Sequence, residues 1–277
     1  MKAKSQYGYV TQDRYNTLIK MEFDKLQGVV MQQQRARRLG ILGGMGPLAT
    51  VDFMRKIIQS TPAGQDQAHI PMVVANVPQI PDRTQAILDA AEDPFPALLQ
   101  LLRQLEQAGA TLFVIPCNTA HFWFKRLTYY SRIEAISIID CVVGAIRRRG
   151  LRRVGLLATT ATVRGGLYQQ ELRPLGIECV LPDALMQQKV MRGIAAVKAG
   201  DVALGQRCLF EAYQALREQG AESVILGCTE IPLALEAHAN AHPETVIDSL
   251  AELAQACVQW YQAPQLSELA PAQACVA

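Results

Sequence analysis

From Leu39 onward the chain alternates between short, continuously apolar runs and longer stretches with helical spacing. Leu39-Gly-Ile-Leu-Gly43 is apolar throughout, as a strand buried on both faces requires. A Gly-rich turn follows, and Pro47 suits the first turn of a helix. Residues 71–77 read as a second strand, residues 95–107 as a helix closed by Gly109, and residues 111–116 and 135–139 as two more strands. The pattern then restarts. Residues 153–158 mimic 39–43, with Thr159-Thr-Ala-Thr162 in place of the glycines. Residues 186–198 and 202–219 read as helices, 223–227 as a strand and 245–248 as a short final one. This alternation predicts an α/β fold with mainly parallel sheets.

The restart carries a duplicated thiol. Cys117 follows the apolar run 111–116, and Cys228 follows 223–227. Each is preceded at eight residues by a glycine, Gly109 and Gly220, and before that by similar helical stretches. Gly40 and Gly155 are 115 residues apart and the cysteines 111, nearly equal offsets that predict two pseudo-symmetric lobes. Ligands of such sheets bind beyond the carboxyl ends of the strands, where both thiols, the Gly-rich turn and the Thr-rich turn fall. The expected divisions are an N-terminal extension over 1–38, a first lobe of 39–132 joined by 245–262, a second lobe of 133–244, and a tail of 263–277.

Composition narrows the classes. Half of the 277 residues are apolar, enough for a sizeable core, and the net charge of +2 argues for no nucleic-acid partner. Residues 133–146 are interrupted by Glu134 and Asp140, and no run reaches membrane-spanning length, so no membrane partner is expected. Seven cysteines without tight spacing read as reduced thiols in a cytoplasmic protein, the start having no signal-peptide pattern. The first 38 residues hold eight Lys/Arg against three Asp/Glu, and 14–37 have roughly helical apolar spacing. An amphipathic helix and a loosely ordered arm fit that segment equally.

Several side chains carry candidate chemistry. A helix start after each strand would favour thiolate at Cys117 and Cys228, whereas Cys141, Cys179, Cys208, Cys257 and Cys275 read as small buried hydrophobes. Gly43-Gly-Met-Gly46 lacks both nucleotide-loop signatures and fits a tight turn that lets a small ligand approach the backbone. Arg83, in a Pro-rich loop, is either a solvated arginine or a carboxylate clamp. Lys198 serves either the end of its helix or a ligand. Glu230 is either a helix N-terminal acid or a group that orients a thiol or an ammonium. A metal at Cys117 and His121 has no supporting ligands, and His238 and His242 look like exposed loop residues.

Together these pieces resemble the aspartate/glutamate racemases, cofactor-independent enzymes with two cysteines, and are most similar to the aspartate racemase branch. The resemblance rests on Leu39-Gly-Ile-Leu-Gly-Gly-Met-Gly-Pro-Leu-Ala-Thr50, Pro78-Gln-Ile-Pro-Asp-Arg-Thr84, Pro116-Cys-Asn-Thr-Ala-His121, Gly155-Leu-Leu-Ala-Thr-Thr160, Val190-Met-Arg-Gly-Ile194 with Val197-Lys-Ala-Gly200, and Gly227-Cys-Thr-Glu230. It implies two lobes around one small acidic amino acid, with Cys117 and Cys228 as the catalytic pair on opposite faces of the α-carbon. It also implies Arg83 and Lys198 against the substrate carboxylates, with Asn118, Thr119, Thr160 and Thr229 in contact with substrate and Met45 on the turn facing the cleft. No cofactor, a homodimer, and reversible racemisation of aspartate, with glutamate as a second candidate, are what such a resemblance leads one to expect. Other enzymes of the superfamily (hydantoin racemase, maleate isomerase, arylmalonate decarboxylase) and a non-catalytic amino-acid-binding protein are the alternatives. The extension over 1–38 has no counterpart in the compact members of that family.

Overall fold

A computed structural model describes residues 37–264 together with Thr17, Lys20 and Met21. The chain divides into two units, Met1–Arg37 and Arg38–Ala277. In the first, Thr17, Lys20 and Met21 are helical and Arg37 is not, and the rest of the expected helix over 14–37 lies outside the described residues, as do Cys275 and most of the tail.

The second unit holds two four-stranded parallel sheets with the same strand order, β2-β1-β3-β4 and β6-β5-β7-β8. The first consists of β1 (Leu39–Gly43), β2 (Met72–Asn76), β3 (Leu112–Val114) and β4 (Glu134–Ile136). The second consists of β5 (Arg153–Ala158), β6 (Glu178–Val180), β7 (Ser223–Gly227) and β8 (Val246–Asp248). The duplication read from the sequence is therefore a duplication of sheet topology. Alternate side chains of each strand enter different cores, as period-two geometry dictates. Leu39 and Ile41 of β1 and Leu112 and Val114 of β3 face a core that also takes Val154 and Leu156 of β5 and Ile225 of β7. Leu42 and Phe113 point the other way, into a core covered by α3 (Phe95–Gln107), and Val224 and Leu226 into one covered by α8 (Ala184–Lys198) and α9 (Val202–Glu218). Both sheets are thus buried on two faces, which is why the strands read as apolar runs rather than as alternations.

The helix ends repeat as well. After α3, Gly109 has φ +83°, with Gly109 N–H donating to Glu106 O and Ala110 N–H to Leu105 O. After α9, Gly220 has φ +87°, with Gly220 N–H donating to Arg217 O and Ala221 N–H to Leu216 O. These left-handed caps turn each chain back into the strand that carries a thiol.

The lobe division differs from the expected one. β4 pairs with β3, so residues 134–136 belong to the first sheet, and β8 pairs with β7, so 246–248 belong to the second. Each is the fourth strand of its own repeat, which the sequence reading exchanged. The helix after β8, α11 (Ser249–Gln262), packs on both α1 (Pro47–Ser60) and α5 (Ile138–Arg148). β4 is also shorter than expected, because Ser137 caps α5 by accepting from Asp140 N–H at 3.2 Å and draws Ile138 and Ile139 into the helix. His238 lies within α10 (Ile231–Ala241) rather than in a loop, its ring edge-on to Phe210 and Tyr213. No helix among the described residues is long and apolar enough to cross a membrane.

Candidate active site

In each sheet the first connection runs to one side of the starting strand and the next crosses to the other. The crevice outside the carboxyl ends of β1 and β3, and of β5 and β7, is therefore a topological switch point. The chain leaves β1 into the turn that carries Met45, β3 towards Cys117, β5 into Thr159, and β7 directly into Cys228. These four residues line one cleft between the lobes, with Asp82, Arg83, Thr84, Asn118, Thr119, Lys198, Thr229 and Glu230. Both thiols are nearly sealed from solvent, at 5 and 6% exposure. The space left between the walls, about 20 Å³ for the centres of water-sized spheres, holds little more than a single water. Any amino acid entering must widen it.

The Cys228 thiol donates to Glu230 Oε2 at 3.0 Å. Glu230 occupies the position before α10, yet its side chain caps no N–H there. Glu230 is thus an acid at a helix N-terminus, as one of the two readings had it, and its carboxylate also takes the thiol's hydrogen bond, as the other had it. Oε1 of the same carboxylate lies where a β-carbon on Gly46 would stand 3.1 Å away, so the Gly-rich turn is cut back to admit it. Burial pushes the Cys228 thiol well above its ordinary range, and the Glu230 charge adds to the rise. Cys117 is also raised, again by burial first, but Arg83 and the Ala120 N–H pull it back. The two thiols are alike in topology and unlike in electrostatics.

Arg83 is the first residue of α2 (Arg83–Leu88), whose N-terminus Asp82 caps by accepting from Gln85 N–H at 2.9 Å. Its Nη1 donates to the carbonyls of Ile80 and Pro81, both at 3.0 Å. That anchors one arm of the guanidinium and leaves the Nη2 and Nε donors for a ligand. Arg83 is buried, so it is not a solvated surface arginine. Lys198 ends α8, and burial opposes its charge, but Glu230 and the two thiols outweigh that penalty and the net shift is upward. Arg83, Lys198 and Glu230 also border an outer space of about 280 Å³ with walls that include Pro47, Leu48, Pro78, Val197 and Leu233.

Other candidates are committed to protein contacts. Asn118 Nδ2 donates to Ser249 Oγ at 3.0 Å, and its Oδ1 accepts from the Tyr168 hydroxyl, tying the Cys117 loop to the second lobe. Thr119 Oγ1 lies 2.9 Å from Thr159 Oγ1 and 3.0 Å from Thr162 Oγ1, a three-hydroxyl cluster across the lobes. Thr229 Oγ1 reaches Glu230 Oε2 at 3.5 Å. Thr160 does not line the cleft. Its hydroxyl accepts from Gln187 Nε2 at 3.3 Å, and Thr159 takes the place expected for it. A side chain on Gly44, at φ +95°, would collide with the Val77 backbone, so the turn's own packing demands this glycine, while Gly44 and Gly46 both border the outer space beside Arg83 and Lys198. His121 Nε2 accepts from Ile138 N–H at 3.0 Å, so Nδ1 carries the proton and donates to Cys117 O at 2.9 Å. Both nitrogens are used, and burial lowers the ring's pKa to about 4, which makes His121 a neutral tether rather than a metal ligand. Thr159 was recoverable from sequence as a helix cap with Thr162 three residues on. Tyr168 and Ser249, which orient Asn118, carry no local signal.

A family model for Asp/Glu/Hydantoin racemase matches residues 42–257. The aspartate racemase of Picrophilus torridus superposes with a TM-score of 0.76 at 33% identity, covering 84% of this chain and 97% of that one. An aspartate racemase homologue from Pyrococcus horikoshii OT3 superposes with a TM-score of 0.66 at 25% identity, covering 82% and 100%. The broad specificity amino-acid racemase RacX of Bacillus subtilis (strain 168) is 28% identical over 240 residues, 82% of this chain and 99% of that protein. With duplicated parallel sheets, a cleft at their switch points and a family match over most of its length, the chain belongs to the Asp/Glu/Hydantoin racemase family.

Proposed function

We propose that this protein racemises an acidic amino acid, aspartate before glutamate, by proton transfer between Cys117 and Cys228 without a cofactor. The observation that carries the reading is the pair of buried thiols contributed by equivalent strand ends to one cleft that also holds Arg83 and Lys198. An α-proton is far less acidic than a thiol, so the carbanion needs cations and fixed donors near its carboxylate. Arg83, anchored at Nη1, would take one carboxylate through its two remaining donor arms, and Lys198 would supply a second positive charge. Likeness to aspartate racemases supports a four-carbon diacid.

In the resting state Cys228 holds its proton against Glu230, while the Arg83 charge favours the thiolate of Cys117. Cys117 is therefore the thiol more readily ionised, and removes the α-proton of one enantiomer. Cys228 delivers its proton to the opposite face. The reverse direction begins with the roles exchanged. Widening of the cleft admits substrate, and closure excludes water from the developing charge. A cytoplasmic setting that keeps the thiols reduced accords with the six described cysteines, all free. A homodimer completes the proposal.

The test is α-proton exchange of L- and D-aspartate in deuterated water, followed by chiral analysis. Wild-type protein should exchange and invert both enantiomers. Cys117→Ala and Cys228→Ala should each abolish inversion. Racemisation at wild-type rate in either variant would refute the two-thiol reading.

A further inference from the structure

A larger cavity than the cleft lies elsewhere between the lobes, about 400 Å³ for the centres of water-sized spheres. That is within the range of small-molecule sites. Its walls come from three places. The segment after the Cys117 loop contributes His121 and Phe122, with Phe124 and Lys125 from α4 (Phe124–Tyr130). The start of α5 contributes Ser137, Ile139 and Asp140, and the second lobe contributes Leu167, Gln170 and Glu171.

The lining has a defined chemistry. Phe122, Phe124, Ile139 and Leu167 make an apolar wall, and Phe122, set edge-on to Trp123, is still 53% exposed. Lys125, Asp140 and Glu171 are the charged residues, and none of them forms an ion pair with a described residue. They do feel one another, since Glu171 raises the Asp140 carboxyl and Lys125 lowers it, beneath a larger upward push from burial. His121 is neutral at ordinary pH. One cation against two carboxylates disfavours a phosphate or a diacid. It suits a ligand with one carboxylate, one ammonium and an apolar body. The groups proposed for catalysis are not among the walls.

We propose that this cavity is a second binding site, for a free α-amino acid with an apolar or aromatic side chain: its carboxylate pairs with Lys125, its ammonium sits by Asp140 and Glu171, and its side chain lies on Phe122 and Phe124. The site reports to the cleft through His121. That ring stacks on Phe124 with centroids 4.8 Å apart and donates to the Cys117 carbonyl at 2.9 Å. An occupant pressing on Phe124 therefore bears on the loop that carries the thiol, and Cys117 reactivity changes on binding. The assignment does not depend on the racemase reading.

Calorimetric titration of the full chain with L-phenylalanine and with L-leucine tests it. Saturable binding of at least one at millimolar concentration or below is expected. Lys125→Ala and the exposed-site variant Glu171→Gln should each weaken it about tenfold, while Arg83→Ala should leave it within roughly twofold. The alkylation rate of Cys117 should change when the ligand is present. Absence of binding by both amino acids overturns the site. So does binding that is lost in Arg83→Ala and kept in Lys125→Ala, which would mean that they enter the cleft. Aspartate exchange in deuterated water is measured separately, and its failure would count against the racemase reading alone.

Discussion

The Cys228 thiol donates to Glu230 Oε2 at 3.0 Å, and this contact breaks the symmetry of the duplicated site. Its counterpart, Cys117, feels the Arg83 guanidinium more strongly than it feels the same Glu230 carboxylate. A carboxylate beside a thiol stabilises the protonated form, and a guanidinium stabilises the thiolate. Glu230→Gln removes the charge and keeps the shape. The Cys228 thiol should then ionise at lower pH, and its alkylation by iodoacetamide, mapped by mass spectrometry at fixed pH, should accelerate relative to Cys117. An unchanged ratio of the two rates would show that Glu230 does not hold the proton.

Arg83→Lys should be far from conservative. The lysine keeps one charge but cannot both donate to the Ile80 and Pro81 carbonyls and offer a two-pronged face to a carboxylate. A loss of about 3 kcal/mol in transition-state stabilisation is expected, roughly a hundredfold in kcat/KM on aspartate. Steady-state kinetics check it, and a change below about threefold would remove Arg83 from the binding machinery.

His121 makes stability depend on pH in a definite direction. Burial holds the folded ring near pKa 4, against 6.5 for an ordinary histidine. Between those values the unfolded chain binds the extra proton, so the contribution of His121 is fully present above pH 6.5 and is lost as pH falls towards 4. The loss amounts to about 3 kcal/mol at the acid end. Urea unfolding at a series of pH values should show that slope in wild type and a flatter one in His121→Ala. The variant is also less stable at neutral pH, because the Cys117 carbonyl and the Ile138 N–H lose their partner.

Thr159 and Thr160 separate the structural reading from the sequence reading. Thr159 caps α6 (Thr160–Arg164), accepting from Thr162 N–H at 3.2 Å, and joins the hydroxyl cluster with Thr119. Thr159→Ala should cost about 1 kcal/mol of stability from the cap alone and reduce turnover. Thr160→Ala loses one hydrogen bond from Gln187 and should leave kinetics on aspartate near wild type. The reverse ranking in matched assays would restore Thr160 to the cleft.

Much of this molecule was legible in the chain. The buried strands announce themselves because both faces of each sheet are covered, so Leu39–Gly43 is apolar throughout and Ser223–Gly227 is apolar after its first residue. Gly109 and Gly220 mark helix ends because a left-handed cap strongly favours glycine. Cys117 and Cys228 stand out because a repeat in sequence became a repeat in topology. These are local signals, set by backbone sterics and by the period of side-chain burial.

The remainder depended on which distant segments meet. β4 and β8 lie in the sheets opposite to those expected because a three-residue strand does not encode its partner, and pairing is settled only when the sheet assembles. The Ser249 and Tyr168 contacts that fix Asn118 span 131 and 50 residues, beyond any local motif. Glu230 could be read as a helix acid or as a thiol partner until the fold showed it to be both, at the start of α10 with its side chain turned to Cys228. Residue types and their periodicity set the two lobes and the two thiols. The inequivalence of those thiols arises only from packing, because the charge that each one feels is contributed by whichever side chains the closed fold brings against it.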